Sequence, residues 1–183
     1  MSNKLIAIVG MCGAGKSDAT QWFCERGWQK VYFGGVTMEE LKKKGLPVTP
    51  DNEKTERERL RRELGMGAFA ILLSDTIKEK LSVGNVVLDG LYSWSEYKYI
   101  YENISSDIKL VAVIADSGLR YSRLSGRPVR PLTAEQARKR DIAEIENLEK
   151  GGPIAAADHF IDNNGNYEQF RASVEALIDR LEK

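Results

Sequence analysis

Residues 10–17 read Gly10-Met11-Cys12-Gly13-Ala14-Gly15-Lys16-Ser17 and fit G-x-x-x-x-G-K-[ST] at every fixed position. The residue types state the chemistry. Glycines let the backbone take turns that a Cβ obstructs. Successive N–H groups from Gly10 to Ser17, those of Cys12, Gly13 and Ala14 included, then point at the oxygens of a bound phosphate. A helix that starts near Gly15 adds the positive end of its dipole. Lys16 brings a point charge to the β and γ phosphates of a nucleoside triphosphate, and the Ser17 hydroxyl is a ligand for Mg²⁺. A glycine-rich turn that merely caps a helix would also use Gly15 and Ser17, but it gives Lys16 nothing to do.

Two further patterns belong to the same chemistry. Val86-Val87-Leu88-Asp89-Gly90 delivers a carboxylate at the end of an apolar run. In open α/β sheets ligands sit at that edge, where Asp89 can hold Mg²⁺ directly or through a water; a strand-end Asp is also a common turn former. Arg120, Arg123, Arg127 and Arg130 form a cluster, followed by Arg138 and Arg140. Phosphoryl transfer spreads negative charge over equatorial oxygens, and guanidinium groups stabilise it once water is excluded. Arg123 and Arg127 are the pair expected to do this. Arg138, Lys139 and the series Glu144, Glu146, Glu149 suit a solvated helix face better.

These residues need a scaffold. Leu5–Val9 is an unbroken apolar run, as in a parallel strand covered on both faces. Val31–Phe33, closed by Gly34-Gly35, reads as a second strand, Asn85–Asp89 as a third, Lys109–Ala115 as a fourth and His159–Ile161 as a fifth. Helical patterns fill the gaps, so the chain is an α/β protein of repeated β-α units around a parallel sheet. Two charged stretches, residues 37–62 and 120–152, read as mobile excursions from that single core of residues 1–183. Lys plus Arg and Asp plus Glu both number 27, and with no basic excess a nucleic-acid polymer is not an expected partner. No apolar run approaches the roughly 20 residues that cross a bilayer, and Cys12 and Cys24 build no disulfide framework. A cytoplasmic protein is expected, with no membrane partner, as a monomer or weak homo-oligomer.

With these residues in view, the chain resembles the nucleoside monophosphate kinase group of P-loop kinases, and within it dephospho-CoA kinases and archaeal adenylate-kinase-related proteins. The likeness runs nearly end to end, through the phosphate loop, Leu88-Asp89-Gly90, the arginine-rich stretch and Ala157 to Gly165. It implies a P-loop NTPase three-layer sandwich with five parallel strands in the order 2-3-1-4-5. It also implies an acceptor-binding insert at 37–62, a lid at 120–152, and a loop around Asn163 to Gly165, with Asn164 the residue expected to contact the nucleotide, that passes near the adenine of ATP. The implied activity is transfer of the γ-phosphoryl of ATP, with Mg²⁺, to a small nucleotide-type acceptor.

Departures from that group bear on the acceptor. Dephospho-CoA kinases carry an Asp just after the second strand, where this chain has Phe33-Gly34-Gly35-Val36. Adenylate-kinase-like proteins place arginines where this chain has Met38 and Tyr92. One of Arg57, Arg59, Arg61 or Arg62 then takes over, or the acceptor differs. Arg62 is the expected choice. Tyr92 and Trp94 can stack on an acceptor base or serve packing alone. Transfer to the 3'-hydroxyl of dephospho-CoA, and an ATP-binding switch or ATPase that transfers nothing, are the alternatives. Cys12, beside Lys16 and a helix start, reads either as a thiol whose modification ATP blocks or as an ordinary loop position. His159, the one histidine, reads as structural.

Overall fold

The structure, a computed structural model, describes residues 3–183. Five strands alternate with helices: β1 (Leu5–Val9), α1 (Lys16–Glu25), β2 (Gln29–Tyr32), α2 (Gly34–Lys43), α3 (Pro50–Leu64), α4 (Ala68–Val83), β3 (Val86–Asp89), α5 (Trp94–Asn103), β4 (Lys109–Ile114), α6 (Ser117–Ser125), α7 (Ala134–Leu148), α8 (Gly151–Ala155), β5 (His159–Asp162) and α9 (Tyr167–Leu181). All pairings are parallel and the order is β2-β3-β1-β4-β5, as the resemblance implies.

Alternation along β1 sorts the core into two layers. Leu5, Ala7 and Val9 face one side, where Phe69 and Ile77 of α4 and Ile100 of α5 cover them. Ile6 and Ile8 face the other, against Trp22 and Phe23 of α1 and Phe170, Val174 and Leu177 of α9. A strand buried on both faces must be apolar at every position, which is why β1 reads as a continuous run. Each buried side chain of this size adds about 1.5–3 kcal/mol of transfer free energy. The sheet is therefore a rigid base for the loops at its C-terminal edge.

Three segments differ from the sequence reading. The second strand ends at Tyr32, and Phe33 is the N-cap of α2. Gly34-Gly35 open that helix and do not close a strand. The 37–62 stretch is most of α2 and α3, and 120–152 runs from α6 into α8. Both are tied down by charge: Arg120 pairs with Asp141, Lys150 with Glu144, and Lys44 and Arg59 with Glu56. Among the described residues no helix is long and apolar enough to cross a membrane.

Candidate phosphate-binding site

The loop from β1 to α1 takes its shape from three glycines at positive φ. Gly10 (φ 141°) lies against the Val113 carbonyl of β4, and Gly15 (φ 106°) against Asn163 and Phe170; a Cβ at either would collide with these neighbours. Gly13 (φ 83°) rests on the backbone of Arg120. Gly15, in the left-handed conformation, is the N-cap of α1, and no side chain caps that helix. Its first N–H groups stay open to an anion, with the helix dipole behind them. Ala14 N–H is turned to Met11 O at 3.2 Å, which closes the turn.

Lys16 Nζ lies across the same loop and donates to Met11 O at 3.0 Å. Burial drives its pKa from 10.5 down to about 7, and the charge of Lys150 pushes the same way, against Cys12, Glu144 and Asp89. Polyphosphate in the loop would reverse that shift by adding negative charge. Ser17 stands exposed at the first turn of α1, and Asp89 ends β3, one strand in from the edge strand β2. Asp89 Oδ2 pairs with Lys30 at 2.7 Å, which leaves Oδ1 for a metal or its water. A hydroxyl and one carboxylate are hard oxygen donors that suit Mg²⁺ completed by phosphate oxygens. Among the described residues no group of three or more His, Cys, Asp or Glu could hold a metal alone. The donor set therefore fits a metal that arrives with its nucleotide.

Arginines close the loop from α6. Arg123 Nη2 donates to Asn163 O at 2.9 Å, and its Nη1 is buried without a partner. Arg127 places Nη1 4.0 Å from Cys12 Sγ. Arg120 has a structural role. Its Nη1 donates to Cys12 O at 3.0 Å, and the guanidinium is bidentate on Asp141 at 3.1 and 2.6 Å. Cys12 is buried under these contacts. His159 lies half-buried in β5.

Asn163, buried, is the residue on the loop, with Nδ2 donating to Ala14 O at 2.7 Å. Asn164 is exposed and accepts from Asp116 N at 2.8 Å, pinning the β4–α6 connection. The strand alternation Ile161 in, Asp162 out, carried one step further, points to 163. Arg62 is exposed, whereas Arg61 is half-buried on α3. The Arg61 guanidinium lies 5.1 Å from the Phe69 ring centroid, and its Nε is buried without a partner. Burial lowers its pKa. Glu53, Arg57 and Arg61 lie at i, i+4 spacing, which marks that face in the sequence.

The aromatic pair splits. Tyr92 is half-buried under Lys150, whose Nζ lies 4.5 Å from its ring centroid; burial raises its pKa to about 12, with Glu144, Tyr32 and Asp89 adding to the shift. Trp94 serves packing, set against Gly152 and stacked on Tyr97 at 5.0 Å. Glu144 is a correction as well. It is buried, not on a solvated face, and binds Lys150 at 2.5 Å and Arg140 at 2.9 Å. Burial raises its pKa, but the two cations outweigh that and hold it below the usual range.

A glycine loop feeding a helix from the central strand of a 2-3-1-4-5 parallel sheet, with arginines closing over its edge, is the P-loop kinase fold. A shikimate kinase from Bacteroides thetaiotaomicron shares it with TM-score 0.61 and 17% identity, over 98% of this chain and 99% of that one. A gluconokinase from Sinorhizobium meliloti gives TM-score 0.56 and 15% identity, over 98% and 95%. The chain belongs to the UPF0200 family: it is 33% identical over 183 residues to a UPF0200 protein of Pyrococcus abyssi, covering 97% of this chain and 96% of that one. A Thermococcus kodakarensis UPF0200 protein is 35% identical over 181 residues, covering 97% of each. No protein-family model matches the chain.

Proposed function

We propose that this protein is an ATP-dependent phosphotransferase whose acceptor is the phosphate of a small mononucleotide. The observation that carries the reading is the phosphate loop itself. It has an uncapped α1, three glycines held at positive φ, and Lys16 laid across it at the C-terminal edge of the sheet. The kinase neighbours agree in fold.

The loop amides and Lys16 would hold the donor phosphates, and Ser17 and Asp89 would hold Mg²⁺, which supplies charge neutralisation between the β and γ phosphates. Arg123 of α6 and Arg127, just past its end, would close on the same oxygens. On the acceptor side stand Tyr92 and the unpartnered Nε of Arg61. The half-buried guanidinium of Arg61 would bind the anionic group of an acceptor more strongly than an exposed one. In the transfer, an acceptor phosphate oxygen forms the new bond to Pγ while the bond from Pγ to the β–γ bridging oxygen breaks. Its electron pair stays on ADP. An acceptor that is already anionic releases no proton, which fits the absence of a carboxylate at Phe33-Gly34-Gly35-Val36. This favours a mononucleotide over the 3'-hydroxyl of dephospho-CoA.

The test follows ADP release from Mg-ATP with a panel of mononucleotides, nucleosides and dephospho-CoA. We expect release to depend on a mononucleotide and to vanish in Lys16→Ala. Release without an acceptor, or none across the panel despite ATP binding, would favour the switch. Full activity of Lys16→Ala at saturating ATP would refute the donor-site assignment.

A further inference from the structure

We infer that Lys150 is a second ammonium of this phosphate site, held by Glu144 beside Tyr92 and aimed at the γ-phosphoryl group from the acceptor side. The inference rests on the phosphotransferase reading of the site. Lys150 is 2% exposed, and its Nζ sits 2.5 Å from Glu144 and 4.5 Å from the Tyr92 ring centroid. Of the charges that bear on Lys16, that of Lys150 acts most strongly. Glu144 lies one turn of α7 from Asp141, whose partner Arg120 donates to Cys12 O of the loop at 3.0 Å, so the pair with Glu144 brings Lys150 to the rim of the phosphate site, beside Tyr92.

The corner that carries it is closely specified. Glu149 takes φ 53°, a conformation that side chains other than glycine seldom adopt. It is held there by its own carboxylate, which accepts from Ser95 N at 2.9 Å and Ser95 Oγ at 2.8 Å. Gly152 gives Trp94 room to pack on the next turn. Lys150 N–H closes α7 on Glu144 O at 3.3 Å. The turn fixes the backbone at Lys150, and Glu144 and the Tyr92 ring hold its side chain.

Structural pairing alone is a weak reason for the arrangement. A buried ion pair seldom stabilises more than apolar residues of equal volume would. The local charge is also unbalanced. Lys150 and Arg140 share the one carboxylate of Glu144, and Asp89, the other carboxylate that bears on Lys16, is already shared with Lys30. A cluster with excess cations that are partly desolvated is complete only with an anion, and a triphosphate supplies it.

Calorimetry with Mg-ATP and Mg-ADP separates the roles. Lys150→Met paired with Glu144→Gln removes both charges together, so that no carboxylate is left buried alone. Lys139→Met, on the exposed face of α7, controls for loss of a lysine remote from the site. For the paired variant we expect the preference for ATP over ADP to fall tenfold or more, roughly the worth of one charge-assisted hydrogen bond. Affinity for ADP should stay within about threefold, turnover should fall about a hundredfold, and Lys139→Met should match the parent. Unchanged ATP preference and turnover in the paired variant would overturn the inference while leaving the donor site intact. A parent protein that prefers ATP yet phosphorylates no acceptor would sink the kinase reading alone, because the preference still reports on Lys150. Binding of neither nucleotide would overturn both.

Discussion

The sheet buries Ile6, Ile8, Val87 and Val111 against Trp22 and Phe23, whereas α7, which closes over its edge, buries Asp141 and Glu144 and leaves Ile142 and Ile145 in solvent. The insert helix α3 repeats the second pattern, burying Glu53 and Glu56 beside Leu60. Apolar burial is non-directional and strong, so the base of the molecule is fixed once and for all. Ion pairs at the rim add little net stability for the desolvation they require, but they hold one geometry. They also compete for the same cations that a polyphosphate would recruit. A molecule divided in this way keeps its scaffold rigid while a ligand redistributes the charges that hold its cover.

Substitutions can break that contrast. Phe23→Ala, fully buried between α1 and Trp28, should cost about 4 kcal/mol of global stability in urea titration. Asp141→Ala strands the buried Arg120 guanidinium and should cost about 3 kcal/mol. Hydrogen exchange should rise mainly in α6 and α7, with β1 still protected. Replacing both partners, Arg120→Met with Asp141→Leu, should recover most of the loss. If Asp141→Ala left stability and exchange unchanged, the rim pairs would be ornament. If it loosened β1 as much as α7, the division into base and rim would be wrong.

The same division explains what could be read from the sequence. The apolar runs of β1, β3 and β4 and the phosphate loop are local patterns, and they gave the strands and the loop with Lys16 and Ser17 in place. Sheet order came from family resemblance, since hydrophobic periodicity does not say which strand lies beside which. The rim was misread because charge was equated with solvent. Glu144 lies on the same helical stripe as Ala137, Asp141 and Leu148, spaced 4, 3 and 4 apart, and that stripe faces inward. Within the loop 163–165 and among the arginines of α3, which side chain turns inward depends on packing against other elements: Asn163 and Arg61 do, while Asn164 and Arg62 are exposed. Lys150 had no local signal, because its burial depends on Tyr92 and on a corner closed by Ser95, more than fifty residues earlier in the chain.

Glu96 sharpens the contrast further, since it is a buried carboxylate that caps a helix. Its Oε2 accepts from Tyr92 N at 2.8 Å and Ser93 N at 3.0 Å, completing a capping box at the start of α5. Burial lifts its pKa from 4.5 to about 7, against the pull of those two N–H groups and of Arg61. The paired Glu56 and Glu144 move the opposite way, below the usual range. Between pH 4.5 and 7 the folded chain keeps a proton on Glu96 that the unfolded chain has released. Its contribution to stability is therefore complete at low pH and is lost as pH rises through about 7. The loss should be on the order of 1–2 kcal/mol, because the charged form retains its amide partners. Glu96→Gln keeps an oxygen for the amides and cannot ionise. Urea midpoints at intervals from pH 5 to 8 should decline less for this variant than for the parent. Parallel curves for the two proteins would show that burial does not hold Glu96 protonated, and the paired and unpaired carboxylates would then behave alike.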